Sequence, residues 1–194
     1  ASEVRSATWA TVDMIGEDGG EAVAHVADLT SEADCAAMAR AAVERWGRID
    51  VLDNNLGTEG PGTILDVDGA TWDRIMRVNV STIVNASRAV VPVMAEGGGG
   101  AIVNLSSISA FRPRGLTPYT AAKGAVISLT RAMAIDHAAQ GIRVNCIAPG
   151  LVKTDFAKAL WEDEANLQRR LVTTPLRRIG EPEDIGGIAA FLAA

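Results

Sequence analysis

Cysteine is scarce in this chain. Cys35 and Cys146 are the only two among 194 residues, far apart and in no C-x-x-C pattern. That excludes a disulfide scaffold and a cysteine-built zinc site, and it suits a reducing cytoplasm, the expected location. Histidine is scarce too: His25 and His137 lack H-E-x-x-H spacing, so no metal site is expected. No run of about 18 apolar residues occurs, so no membrane span is expected. Cations are in deficit, 18 Lys and Arg against 24 Asp and Glu, for a net charge of −6. A nucleic-acid binder would want the opposite balance. No G-x-S-x-G elbow is present to make a serine a hydrolase nucleophile. No G-x-x-x-x-G-K-[ST] loop is present for nucleotide hydrolysis. Aromatics make up 4% of the chain, and Tyr119 is the single tyrosine. Ala1 to Arg5 include no initiator Met and no apolar stretch like that of a signal peptide. The chain reads as if it were cut from something longer.

What is present is globular. Hydrophobic residues make up 48% and charged residues 22%, enough to bury one core without staples. A single domain over 1–194 is expected. Periodicity predicts a helix near 6–15 stopping at Gly19-Gly20, then a strand over 21–27. A helix over 32–46 closed by Gly47 and a strand over 49–52 come next. A helix over 69–95 has Pro92 near its end as a kink or stop. Then come a strand over 101–105, a helix over 118–139 closed by Gly141, and a strand over 142–147. Residues 154–194 read as helices joined by Gly and Pro turns. Four apolar strands separated by helices predict an α/β fold, a doubly wound parallel sheet with helices on both faces. Ligands bind such sheets beyond the carboxyl ends of the strands. Those ends are Asp28-Leu29-Thr30, Asn54-Asn55-Leu56-Gly57, Ser106-Ser107 and Ala148-Pro149-Gly150.

Thr117 suits an N-cap and Pro118 a first helical residue. Tyr119 then falls in the first turn, with Lys123 four residues on and on the same face. A nearby ammonium and the positive helix end both favour the phenolate, so the Tyr119 pKa is expected to be lowered. A tyrosine so tuned exchanges protons with an alcohol or carbonyl oxygen near neutral pH. Taken alone, Y-x-x-x-K is common and better describes an amphipathic tyrosine beside a snorkelling lysine; the context reverses that.

The surrounding segments add context. They are Asp50 to Gly57, Arg77-Val78-Asn79-Val80, Ile102 to Ser107, the Tyr119/Lys123 helix, and Val144 to Thr154. Together, in this order, they resemble the classical short-chain dehydrogenase/reductase family, from about residue 20 onward. The resemblance implies a Rossmann-like fold and an NAD(P)-dependent oxidoreductase that interconverts a secondary alcohol and a ketone. It implies NAD or NADP as cofactor, not distinguishable here, and a small-molecule alcohol or ketone as substrate. Tyr119 would be the general acid/base, and Lys123 would lower its pKa and hold the nicotinamide ribose. Ser107 would bond the substrate oxygen as charge develops on it. Asn79 would position a relaying water. Asp28 would contact the adenine with Leu29 beside it, and Asn55, Leu56 and Gly57 would line the adenosine side. Pro149, Gly150, Val152 and Thr154 would meet the nicotinamide end.

Four features depart from the family pattern. Leu56 replaces a smaller residue near the cofactor. Asp53 stands where an apolar residue is expected and should therefore lie solvated near the strand end. The Ser107–Tyr119 interval is one residue short. Residues 1–20 supply no T-G-x-x-x-G-x-G loop, and the last strand of the family is also missing. The chain therefore reads as the central and C-terminal part of a dehydrogenase, with an exposed apolar sheet edge. A 3-oxoacyl thioester reductase is a second enzymatic reading. A truncated, cofactor-free binding or assembly module is the non-enzymatic one. Residues 151–180 are expected to form a substrate lid walled by Phe156, Leu160 and Trp161. Trp161 serves equally as a subunit contact. The helices over 69–95 and 118–139 have Ala- and Val-rich faces suited to close packing, so a homo-oligomer, a tetramer, is expected.

Overall fold

The computed structural model describes residues 2–113 and 115–194, with side chains from Ala10 onward. The elements run α1 (Ser2–Glu17), α2 (Glu32–Trp46), β1 (Val51–Asn54), α3 (Gly69–Met76), a π turn (Arg77–Ser81) and α4 (Thr82–Glu96). They continue as β2 (Gly100–Leu105), α5 (Thr117–Asp136), β3 (Ile142–Ile147), α6 (Lys158–Trp161), α7 (Glu164–Val172) and α8 (Pro182–Ala193). The three strands form one parallel sheet in the order β1-β2-β3. Parallel neighbours need crossovers, and helices α3/α4 and α5 supply them.

Register explains the two faces. Leu52, Ile102 and Val144 lie side by side in the ladder, on one face. That face packs against Val90 and Met94 of α4 and Met133 of α5. The intervening residues Val103, Leu105 and Ile147 point the other way and meet Ile185, Ala189 and Leu192 of α8. Burial on both faces is why β2 reads as an almost unbroken apolar run. Helix α2 begins where the Ser31 hydroxyl accepts the Asp34 N–H and ends at Gly47, whose left-handed φ of 78° no β-carbon-bearing residue adopts cheaply.

Several expectations need correction. Residues 21–27 form no strand; Val23 and Val26 are exposed, and no ladder bond joins this segment to the sheet among the described residues. Alternation supplies an amphipathic pattern, but a strand exists only when a neighbour takes its N–H and C=O groups. The sheet among the described residues is thus three strands, not four. The strand expected over 49–52 runs Val51–Asn54. Leu116, not Thr117, occupies the N-cap of α5, with no side-chain cap. The Thr117 N–H instead donates to the Gly62 carbonyl at 2.9 Å, so the β1–α3 loop does the capping. The long helix over 69–95 is broken by the π turn, whereas Pro92 rides inside α4 on its exposed side.

Gly69–Glu96 is, among the described residues, the one stretch long and apolar enough by composition to cross a membrane. Its Ile75, Ile83, Val90 and Met94 are buried in the core, which accounts for that composition. Asp53 is exposed on the α8 side of β1, as its charge requires, although packing around the carboxyl pushes its pKa up. Val51, 43% exposed on the same face, is the one apolar side chain of β1 left largely uncovered; the long apolar edge expected of this sheet is not seen among the described residues.

Candidate active site

The site grows from the carboxyl ends of β1 and β2. Asn54, the last residue of β1, is buried and donates from Nδ2 to Asn104 Oδ1 at 2.9 Å. Asn104 Nδ2 donates to Thr130 Oγ1 at 2.9 Å, and Thr130 Oγ1 donates to the Val126 carbonyl at 2.8 Å. A continuous buried polar chain therefore ties both strand ends to α5. Each member satisfies the next, so no desolvated donor is stranded.

Lys123 follows from that anchoring. Its side chain is 4% exposed, and Nζ donates to the Leu105 carbonyl at 2.8 Å, at the last residue of β2. The Ser106 hydroxyl donates to the Lys123 carbonyl at 2.7 Å, so both ends of the lysine are held. Burial lowers its pKa to about 8, partly offset by Cys146 alongside. Cys146 in turn has its thiol pushed up by burial, with hydrogen bonds to Thr130 and Ser106 and the Lys123 charge acting against that.

Tyr119 lies one turn earlier on α5, its ring centre 5.7 Å from Lys123 Nζ. It is hydrogen-bonded to the side chain of Ser107. Ser107 follows β2 and caps the short turn Ile108–Ala110, its hydroxyl accepting the Ser109 N–H at 3.1 Å. The one-residue-shorter spacing thus still brings Ser107 to Tyr119. The expected lowering of the Tyr119 pKa does not hold. Burial raises it, the Ser107 hydrogen bond lowers it by less, and the Glu59 carboxylate raises it further. Desolvation of the phenolate outweighs the other influences, since the Lys123 ammonium is committed to the Leu105 carbonyl.

Asn79 is fully buried in the π turn, a distortion frequent at functional sites. Its Nδ2 donates to the carbonyls of Thr58 and Ile75, at 3.0 and 2.9 Å, and its Oδ1 accepts the Thr58 N–H at 3.2 Å. The side chain staples the β1–α3 loop to the helix. Gly57 fits between: a Cβ there would stand 3.0 Å from Asn79 Oδ1 and 3.4 Å from Lys123 Nζ. Asn79, Ser107, Tyr119 and Lys123 therefore converge on one place.

The other predicted residues form its flanks. Leu29, Asn55 and Leu56 line a cleft of about 90 Å³ together with Leu52, Asn54 and Ile83. Asp28 is exposed beside it, its carboxylate accepting the Thr30 hydroxyl and N–H at 2.8 and 2.9 Å, which hold its pKa down. Its carboxylate thus serves a local turn. On the far side the Pro149 carbonyl accepts the Ile108 N–H at 2.9 Å, which seats the Pro149-Gly150 turn beside Ser107. Val152 bridges to Gly180, with Lys153 N–H on the Gly180 carbonyl at 2.9 Å and Gly180 N–H on the Leu151 carbonyl at 2.8 Å. The Thr154 carbonyl accepts Trp161 Nε1–H at 3.0 Å. Phe156 is 53% exposed, while Leu160 and Trp161 are half-buried.

Sequence reasoning placed Ser106 only as a strand end, not as the partner of Lys123, and missed Thr58, Glu59 and the Leu105 carbonyl. The signal available was the glycine spacing Gly57, Gly60, Gly62. A Cβ at Gly60 would press on Ile75 and on Pro118, at 2.9 to 3.2 Å. Gly16 and Gly19-Gly20 belong to the other end of the chain, where Gly19, with φ of 79°, follows the end of α1.

A family model described as enoyl-(acyl carrier protein) reductase matches residues 2–194. The rabbit "dehydrogenase/reductase SDR family member 4" is 44% identical over 155 residues, 79% of this chain. The chain spans only 60% of that relative's length. A 7α-hydroxysteroid dehydrogenase, solved with NADH and 7-oxo glycochenodeoxycholic acid, superposes with a TM-score of 0.90 at 36% identity, covering 97% of this chain and 74% of that one. A gluconate 5-dehydrogenase from Burkholderia cenocepacia, solved with NADP and tartrate, gives a TM-score of 0.90 at 33% identity over 95% of this chain and 73% of its own. The match over the whole described chain, joined to the convergence of Ser107, Tyr119 and Lys123, places this chain in the short-chain dehydrogenase/reductase family.

Proposed function

We propose that this chain carries the proton-transfer and substrate part of an NAD(P)-dependent oxidoreductase that interconverts a secondary alcohol and a ketone. The observation that carries the reading is the hydrogen-bonded Ser107/Tyr119 pair with Lys123 Nζ 5.7 Å from the phenol ring. The residues present fit a dinucleotide in part. The cleft lined by Leu29, Asn55 and Leu56 offers apolar walls and polar edges to an adenosine group, with Asp28 at its rim. Gly57 leaves room beside Lys123 where a side chain would intrude. Lys123, Pro149, Gly150, Val152 and Thr154 would hold the nicotinamide end. A bound NAD or NADP supplies the hydride chemistry.

The protein's own share is proton transfer and orientation. In reduction, Tyr119 donates its hydroxyl proton to the substrate oxygen; in oxidation it takes the proton back. A raised pKa suits the donor role. Ser107 hydrogen-bonds the same oxygen as charge builds there. Lys123, its Nζ bonded to the Leu105 carbonyl, fixes the floor of the site beside Tyr119. Both Asn79 side-chain donors are committed to carbonyls, so a relaying water would bond to the remaining lone pair of Oδ1 or to the backbone.

Residues 151–180 act as a lid pinned at its base by the Val152–Gly180 bridge, with Phe156 free to meet an apolar substrate. The α4 and α5 faces pair copies into a homo-oligomer, a tetramer. The two free cysteines suit the cytoplasm. A 3-oxoacyl thioester reductase is the second reading, since the same residues would serve it and only substrate assays separate the two. Replacing Tyr119 with Phe tests the proposal. Turnover of a ketone panel with NADH or NADPH should vanish while the circular dichroism spectrum holds; undiminished activity sinks the assignment.

A further inference from the structure

The end of β2 meets α5 through three consecutive residues. The Leu105 carbonyl accepts Lys123 Nζ at 2.8 Å. The Ser106 hydroxyl donates to the Lys123 carbonyl at 2.7 Å. The Ser107 side chain is hydrogen-bonded to Tyr119, one turn earlier on the helix. Ser106 is 5% exposed, and its N–H donates to the Ile147 carbonyl at 2.8 Å, which carries the β2–β3 ladder one residue further. Its hydroxyl therefore stands on the sheet and is spent on the helix. Apolar burial at Ala122, Val126 and Met133 holds α5 down. Such burial is non-directional and leaves the height of the helix along its own axis to directed bonds. The Lys123–Leu105 bond ends on a flexible four-carbon stem, which can follow a shift. The bond from Asn104 to Thr130 lies two turns further along the axis. The Ser106 bond grips the main chain at Lys123 itself.

We propose that Ser106 is a positioning residue that fixes the height of α5 on the end of β2, and so holds Tyr119 against Ser107 and Lys123 against Leu105. The inference rests on the oxidoreductase reading of those residues. Lys123 and Tyr119 share one continuous helix, so a slide at the Lys123 carbonyl is carried to the phenol. Ser106 and Ser107 are neighbours on one strand end, so the hydroxyl that seats the helix stands one residue from the hydroxyl that meets the phenol. A backbone carbonyl has two lone pairs, which lets the one at Lys123 serve Ser106 without leaving its own helix. Alanine at 106 removes the grip and leaves the apolar contacts and the Thr130 bond in place. A misplacement of about 1 Å is enough to cost on the order of 10²-fold in rate.

The test uses the full chain with NADH or NADPH and a ketone panel headed by acetophenone and cyclohexanone. Ser106→Ala should lower kcat by about 10- to 100-fold and leave KM for the ketone nearly unchanged. Ser106→Thr keeps the hydroxyl and should restore most of kcat. The loss should not multiply with that of Ser107→Ala: the double variant should be about as slow as Ser107→Ala alone, because both act on one contact. A second readout needs no turnover. Tyr119 is the single tyrosine, so tyrosinate absorbance reports it alone. Its midpoint should move to higher pH in Ser106→Ala while the circular dichroism spectrum holds, since the Ser107 bond that favours the phenolate is loosened. Val90→Ala, a core truncation on α4, should lower the unfolding midpoint and leave the tyrosinate midpoint in place. Wild-type kcat and tyrosinate midpoint in Ser106→Ala, or losses that multiply with Ser107→Ala, overturn the proposal and leave the oxidoreductase reading standing. Turnover of no ketone by wild type sinks that reading and the proposal with it.

Discussion

Lys123 is the group whose removal should help the fold and destroy the function. It is 4% exposed, and its pKa falls from the usual 10.5 to about 8 because burial disfavours the ammonium. That drop corresponds to about 3 kcal/mol of native-state destabilisation while the group is charged in both states. Replacing Lys123 with Met keeps the length and apolar volume of the side chain. It orphans the Leu105 carbonyl, at a cost of about 1 kcal/mol. The balance is a gain of about 2 kcal/mol at pH 7, which raises Tm by roughly 4–8 °C in a chain of this size. The dependence on pH is a sharper check. Below pH 8 folded and unfolded chains both carry the proton, and the whole cost is present. Between about pH 8 and 10.5 the unfolded chain binds more protons than the folded one, so wild-type stability rises. The advantage of Lys123→Met should therefore shrink across that window and turn into a deficit of about 1 kcal/mol above it, where only the loss at the Leu105 carbonyl remains. Urea unfolding of both proteins at half-unit steps from pH 7 to 10.5 measures this. A variant less stable than wild type at pH 7, or an advantage that stays flat with pH, would refute the reasoning. Either result would mean that the ammonium–carbonyl bond outweighs desolvation.

The remaining predictions concern the partners of this lysine and tyrosine. In Ser107→Ala the tyrosinate transition should move to higher pH, since the hydrogen bond that lowers the Tyr119 pKa is lost. Ketone reduction by the same variant should fall by about 10²–10³-fold, the usual loss for one donor to a developing oxyanion, and steady-state kinetics measure it. Thr130→Val removes the acceptor for Asn104 inside the core, leaving a buried amide unpaired. It should cost about 1–3 kcal/mol in urea unfolding and lower kcat more than it raises KM, because the strand ends that seat Lys123 loosen.

How far the fold and the site can be read from the residues follows from the range of the forces involved. The helix ends at Gly47 and Gly141, the strand over residues 142–147 and the pairing of Tyr119 with Lys123 are local matters of φ and periodicity. The sequence carries them directly. The segment 21–27 has the alternation of a strand but no ladder, because its pairing depends on a neighbour and not on its own residues. The Tyr119 pKa departs from expectation for a related reason. Helix position and an i+4 lysine are visible in one dimension; desolvation, the Leu105 carbonyl that captures the ammonium, and Glu59 arriving from a loop 60 residues earlier are not. The four candidate site residues, Asn79, Ser107, Tyr119 and Lys123, are readable only as a set, since Ser107 and Asn79 each also have an ordinary structural role. Ser107 caps a turn and also meets Tyr119; Asn79 staples a loop and also borders Gly57. The candidate site side chains are held by the same bonds that hold the fold, so changes at Asn79, Ser107 or Thr130 should move stability and turnover together.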